Sequence, residues 1–341
     1  MEQDLNPQAI LQLGMGFWAS KTLLSAVELG LFSKLAPGPL TAPQIAESLG
    51  LHRRGLYDFL DALVALGMLD RQGDGPAAPY ANTPQTARFL DQNSPAYVGG
   101  VLSMASARLF RHWADLTTAL KTGQPQSELR DGGGGFFEVI YSDEQRLEQF
   151  LAAMQSAQLG NFAALVEKVD LSSVRSLVDV GGAMATLSII VARKFSGLRC
   201  TSFDLPPVVP IARRNVARAG LSERIELIGG DFFKDPLPRA DVLTMGNVLH
   251  DWNESEKHEL IRKAYEALPA GGRLIAIENV IDDARRKNAF GLLMSLNMLI
   301  ELPGGFDYTG AQFDGWCRSA GFQRTEVVPL AGSSSAAIAY K

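Results

Sequence analysis

The chain has 341 residues, 46% hydrophobic and 20% charged, enough for two domains and at least one large core. Its net charge of −5 argues against nonspecific nucleic-acid binding, which needs positive charge to displace counterions. The two cysteines, Cys200 and Cys317, are far apart with no metal-ligand spacing, which predicts a reducing compartment and no structural zinc.

The N-terminal stretch MEQDLNPQAILQLGMGFWAS lacks a basic segment followed by an apolar run, so no secretory signal is visible. The longest apolar run, Phe290 to Ile300, is broken by Ser295 and Asn297 and is too short to span a bilayer. A cytoplasmic protein with no membrane partner is expected.

Residues 8 to 72 read as helices, with apolar positions at helical spacing such as Leu56, Phe59, Leu60, Leu63 and Val64. LTAPQIAESLGLHRRGLYDFLDALVALGMLDR reads as a helix-turn-helix, with Thr41 as a cap and Gly50 at the turn. The polar RQGDGPAAPYANTP then supplies a wing. DNA readers use this shape. Asp58 and Asp61, however, fall on or near the helix that would meet the major groove, where acids are costly beside phosphate. A dimerisation or substrate-covering module is the expectation for residues 1–105. Residues 106–341 are expected to form a catalytic domain, with a helical linker over 106–170 and a sheet region over 171–341.

Four glycines in DGGGGFF (Asp131 to Phe137) are followed by no lysine-serine or lysine-threonine pair and preceded by no strand, so a flexible connection is expected rather than a phosphate loop. From Ser176 strands and helices alternate. SLVDV, LRCTSFDL, RIELIGGD, ADVLTMGNV and RLIAIENVI read as strands, and EVVPL and AAIAYK as two more at the end. A doubly wound α/β sheet follows, in which ligands bind beyond the carboxyl ends of the strands.

The residues at those ends carry chemistry. Asp179, Gly181 and Gly182 close the first strand, where glycine lets backbone approach a nucleotide-type ligand. FDLPP offers Asp204 about twenty residues on, where an acid accepts hydrogen bonds from ribose hydroxyls. GGDFF offers Asp231 and the aromatic Phe232. NVLHDW offers His250, Asp251 and Trp252, and IENVIDD offers Glu278. Each is weak alone; their order on consecutive strands points to a nucleoside site beside an acid–base site.

LVDVGG, FDLP, GGDFF, LHDW and PGGFDYTGAQFDGWCRSAGF together make residues 8 to 341 resemble the S-adenosylmethionine-dependent O-methyltransferases of the plant caffeate and hydroxyindole type and their bacterial relatives. The resemblance implies a Rossmann-like methyltransferase sheet with an N-terminal all-α, winged-helix-like dimerisation domain, a homodimer, S-adenosyl-L-methionine as cofactor, no metal, and a small hydroxylated aromatic acceptor. It implies that Asp204 holds the ribose, Asp231 the adenine amino group and Phe232 its face, and that Gly181 lies against the methionine part. Leu205 and Asp179 are further candidates for binding the cofactor. His250 would be the general base, braced by two acids, Glu278 and Asp307; the family more often has a glutamate at the second, and a shorter side chain holds a histidine less firmly.

A histidine with an ordinary pKa near about 6.5 can take the proton of a phenol as the methyl bond forms. Gly246 and Asn247 stand where plant members often carry a lysine and a tryptophan. Ala185 stands where the family loop normally has its last glycine. If its φ must be positive, strain of about 1 kcal/mol results; otherwise its methyl crowds the cofactor. In either case Ala185→Gly is expected to tighten cofactor binding several-fold. Phe290, Met294 and Met298 on NAFGLLMSLNMLIELPGGFDY are the candidates for the acceptor pocket. Trp18, Val27, Leu31 and Phe32 are expected at the two-fold interface. Two other readings are a protein with the same fold and cofactor but non-methylating chemistry, such as decarboxylation or hydroxylation, and a ligand-sensing or DNA-binding protein with a degenerate cofactor site. The retained His250 with Glu278 disfavours the first.

Overall fold

The structure, a computed structural model, describes residues 5–130, 136–141 and 143–341. The glycine run of DGGGGFF lies outside them. Two compact units divide the chain, one up to Arg111 and one from His112 to Lys341.

In the first unit, helices Gly16–Glu28, Ala42–Leu49 and Leu56–Ala65 pack around Leu31, Phe32, Ile45, Leu60 and Leu63, all essentially without exposure. The Gln44 side-chain carbonyl accepts the Thr41 N–H at 2.8 Å, closing the start of Ala42–Leu49, and Gly50 ends that helix at φ +66°. The expected wing is a two-stranded antiparallel ribbon, β1 (Leu69–Arg71) with β2 (Tyr80–Asn82). Asp61 accepts from the Tyr80 hydroxyl and from Arg71, both at 2.8 Å, tying the ribbon to the helix.

Val27, Leu31 and Phe32, expected at an interface between copies, are in this core instead, because the short helix Leu31–Lys34 turns both of its apolar side chains inward. Trp18 differs. It is 63% exposed, as are its apolar neighbours Leu13 (84%) and Phe17 (53%).

The second unit is a seven-stranded sheet in the order β5-β4-β3-β6-β7-β9-β8. Its strands are β3 (Ser176–Val180), β4 (Arg199–Asp204), β5 (Ile225–Gly229), β6 (Val242–Gly246), β7 (Arg273–Glu278), β8 (Arg324–Pro329) and β9 (Ser335–Tyr340). The first five are parallel, and β9 runs antiparallel to both β7 and β8. β3 connects to β4 and β5 on one side while β6 and β7 lie on the other, so the strand order reverses between β3 and β6 and opens a crevice at their carboxyl ends.

Helices cover both faces. In β7 the side chains alternate: Leu274 and Ala276 join the core with Leu260, Phe313 and Trp316, while Ile275 and Ile277 join the core with Leu187 and Val191. The same alternation puts Glu278 on the face of Leu274 and Ala276, under the turn that follows β6.

Candidate active site

The turn after β3 is built for close approach. Gly181 has φ +70°, and a Cβ there would come within 2.7 Å of Val248. A Cβ on Gly182 would run into Ser202 and sit 3.0 Å from the Asp179 carbonyl. Ala183 and Ala185 continue the turn in the left-handed region, at φ +48° and +57°. Ala185 is the strained alternative of the two considered from sequence. Its methyl lies in the core with Leu165, Leu187 and Val191, so it does not crowd a ligand.

Asp204 ends β4 and folds its carboxylate back onto this turn: one oxygen accepts the Ala183 N–H at 2.8 Å, the other the Leu205 N–H at 2.7 Å. Burial pushes its pKa up to about 6 against those two bonds. Asp179, 4% exposed, accepts from the Thr244 hydroxyl at 2.7 Å, and burial raises it to about 7. These contacts hold both acids in place, and each Asp204 oxygen retains a lone pair for a hydroxyl donor.

Asp231, after β5, accepts the Phe233 N–H at 2.9 Å and pairs with Lys234 at 3.0 Å; against a burial contribution that raises it, these contacts keep its pKa below the ordinary range. Beside it, Phe232 and Phe233 meet Trp252 edge-on with ring centroids 5.7 and 4.6 Å away. This aromatic wall fits a flat base. The residues at the ends of β3, β4 and β5 therefore fit a nucleoside with a charged tail.

His250 lies on the turn Leu249–Asp251 after β6, 4% exposed. Its ring Nδ1 is 3.4 Å from Asp307 Oδ1 and its Nε2 is 3.4 Å from Asp251 Oδ1. Burial alone favours the neutral ring. Asp251 and Asp307, with a smaller contribution from Glu278, outweigh it and push the pKa up to about 10. Burial first, and then the other acids, raise Asp251 to about 7 although the histidine opposes this.

Glu278 does not brace the ring. Its Oε1 accepts the backbone N–H of Val248 at 3.1 Å and of His250 at 3.2 Å, fixing the turn rather than the imidazole. The second acid at the ring is Asp251, next in sequence. His250, Glu278, Asp307 and Tyr308 are each at most 4% exposed. Buried ionisable groups concentrated in one place mark a site adapted to something other than stability.

The helix Ala289–Glu301 packs against the His250 turn, and its Ser295 hydroxyl accepts the Asp307 N–H at 3.2 Å. Met298 and Met294 face a cluster with Ile140, Phe137 and Tyr141. Phe290 does not join them; it is 54% exposed, one turn too early on the helix. Asn297 is held instead, accepting from Trp113 Nε1 at 2.8 Å.

In the sequence Tyr141 is one aromatic in a helical run. It packs against the cluster of Ile140, Met298 and Leu302 and also against that of Leu147, Leu151, Val208 and Ile211. Burial first, and then the charges of Asp204 and Asp251, raise its hydroxyl pKa, so the phenol feels the acids of both halves of the site.

Residues 113–323 match the O-methyltransferase domain family, and residues 11–92 the O-methyltransferase dimerisation domain family. The tetracenomycin polyketide synthesis 8-O-methyl transferase TcmO of Streptomyces glaucescens is 41% identical over 335 residues, covering 98% of this chain and 97% of that one. The 3-hydroxy-5-methyl-1-naphthoate 3-O-methyltransferase of Streptomyces sahachiroi is 35% identical, covering 95% of this chain and 92% of that one. The crystal structure of human N-acetylserotonin methyltransferase in complex with S-adenosylmethionine superposes with a TM-score of 0.92 at 30% identity, over 100% of this chain and 99% of that one.

Proposed function

This chain belongs to the S-adenosylmethionine-dependent O-methyltransferases, and from that premise we propose that it methylates a hydroxyl of a small, flat aromatic acceptor with His250 receiving the acceptor's proton. The observation that carries the reading is the buried His250 ring, set between Asp307 and Asp251 on a turn that packs against the helix bearing Met294 and Met298. Aromatic hydroxyls are also what the naphthoate relative is named for.

When bound, the cofactor supplies a methyl group already activated on a sulfonium. The residues of the chain have three tasks. Asp204 and Leu205 hold the ribose end, Asp231 and Phe232 the adenine, and Asp179 and Gly181 shape the turn under the methionine end. Met294 and Met298 present a soft apolar wall to the acceptor ring, which fixes the oxygen in line with the methyl; such alignment is a large part of the acceleration in bimolecular transfers.

The third task is the proton. A free phenol has a pKa of about 10, and the raised imidazole of His250 matches it, so the proton moves without a large uphill step. Asp307 faces Nδ1 and Asp251 faces Nε2, so the two carboxylates flank the ring and steady the imidazolium that forms once it takes the proton. The protein works as a homodimer, supported by the match to a dimerisation domain and by the exposed apolar side chains of Leu13, Phe17 and Trp18.

The test is a methylation assay with S-adenosylmethionine and a panel of hydroxynaphthoates, hydroxyindoles and polyphenols, read by mass spectrometry. Gain of one methyl on oxygen supports the reading. Transfer only to amines or thiols, or decarboxylation or hydroxylation without transfer, overturns it.

A further inference from the structure

Lys257 is a charged side chain with no exposure, on the first turn of the helix Glu254–Ala267. A buried ammonium is costly unless compensated, and the helix does not need it to start: the Asn253 side chain accepts the Glu256 N–H at 3.0 Å, and Glu256 accepts the Asn253 N–H at 2.9 Å. Lys257 Nζ donates to the Trp252 carbonyl and stands 3.5 Å from the centroid of the Phe306 ring. The N–H of Phe306 in turn donates to the His250 carbonyl at 2.8 Å. Gly305 lets that loop come so close, since a Cβ there would lie 2.9 Å from the same carbonyl. The ammonium thus joins the two segments that enclose the histidine.

It also answers the charge there. Facing His250 are Asp251 from its own turn, Asp307 from the segment ahead of helix Gly310–Ala320, Glu278 from β7, and Tyr308 beside Glu278; Glu301 of the acceptor helix acts on Asp251. Against these acids Lys257 brings a positive charge. Burial lowers its pKa to about 8, while Glu278, Asp307, Asp251 and Glu256 oppose that fall. It therefore stays largely charged at neutral pH.

We propose that Lys257 is a positioning residue for methyl transfer, whose buried ammonium clamps the Trp252 carbonyl and the Phe306 ring around His250 and offsets the carboxylates that face the imidazole. Without it the ring would hold its proton more tightly, and less of the enzyme would carry a histidine free to accept one. The inference rests on His250 being the proton acceptor.

The experiment compares the full-length protein with Lys257→Met, Lys257→Gln, Lys257→Arg and, as a control, His250→Ala, recording kcat/KM from pH 6 to 10. Because Lys257 is charged only below its pKa of about 8, loss of the charge is expected to lower kcat/KM about tenfold at about pH 6 to 7 and to leave it near the parent value above about pH 9, with Lys257→Arg restoring much of the loss. A loss equal at every pH overturns the proposal. So does failure of both uncharged variants to fold, which would assign the lysine to the fold alone. If His250→Ala itself retains full turnover, the underlying reading of the histidine fails instead.

Discussion

His250 Nδ1 and Asp307 Oδ1 stand 3.4 Å apart in the interior, well beyond the roughly 2.7–2.9 Å of a tight charge-assisted hydrogen bond. The aspartate attracts the ring without gripping it, as its short side chain implies. Asp307→Glu should close that gap and give turnover at least equal to the parent, even though an added buried methylene lowers stability by about 1–3 kcal/mol. Asp307→Ala should lower kcat/KM tenfold or more. Steady-state kinetics on both variants, with melting curves to separate folding from function, decide it: a glutamate variant as impaired as the alanine would contradict this account.

His250→Ala should reduce kcat by about a hundredfold or more, in keeping with general-base contributions. Cofactor affinity should hardly change, because the residues assigned to it lie at the ends of other strands. Titration calorimetry with S-adenosylhomocysteine checks the second half. Near-normal turnover at neutral pH would remove the histidine from the mechanism.

The pH dependence should be alkaline. Because the acids hold the His250 pKa up to about 10, the neutral ring grows tenfold per pH unit below that value, and kcat/KM should climb across pH 6 to 9 instead of levelling near 7. The stability linkage has a matching sign. A histidine whose folded pKa lies above its ordinary value of about 6.5 stabilises the fold fully below that pH, and the contribution disappears as pH rises through about 10. His250→Ala should therefore cost more stability at pH 6 than at pH 10. A flat profile above pH 7, or an equal cost at both pH values, counts against the raised pKa.

Ala185→Gly should leave cofactor affinity within about twofold, contrary to the several-fold tightening expected from sequence. The methyl is buried in the core and not turned toward the ligand. Its removal relieves left-handed strain of about 1–2 kcal/mol, but loses a buried methyl worth about 0.8 kcal/mol and loosens the unfolded chain by about 0.4–1 kcal/mol. These nearly cancel, so the melting temperature should move only slightly. Calorimetry showing fivefold tighter binding would mean the strain is coupled to the cofactor after all.

The homodimer should run at twice the 36.8 kDa of one chain. Trp18→Asp together with Leu13→Asp should give a monomer that is still folded, since both side chains are exposed. Deletion through residue 35 would be a poorer test because it removes Leu31 and Phe32 from the core of the first unit. Light scattering on the double variant is the measurement; an unchanged dimer would place the interface elsewhere.

Local chemistry alone determined much of this protein. Short apolar runs set between helical patterns announced the strands, and glycines and acids at the strand ends announced which edge of the sheet would work. Thr41 and Gly50 marked the limits of a helix, because capping and left-handed turns depend on neighbours in the chain. The residues that required the tertiary structure are those whose role is set by distant partners. Glu278 was legible as an acid near the histidine, but only the facing of β7 and β6 shows that it grips backbone N–H groups and leaves the ring to Asp251 and Asp307. Phe290 and Met298 share a helix and an apolar character, and packing alone separates the exposed one from the buried one. Lys257 reads in sequence as an ordinary solvated lysine on a charged helix. Its burial beside Phe306, forty-nine positions further on, is a fact of three-dimensional packing, as is the pKa of His250, because electrostatic fields depend on distance through space and on excluded water, neither of which is written in the order of residues.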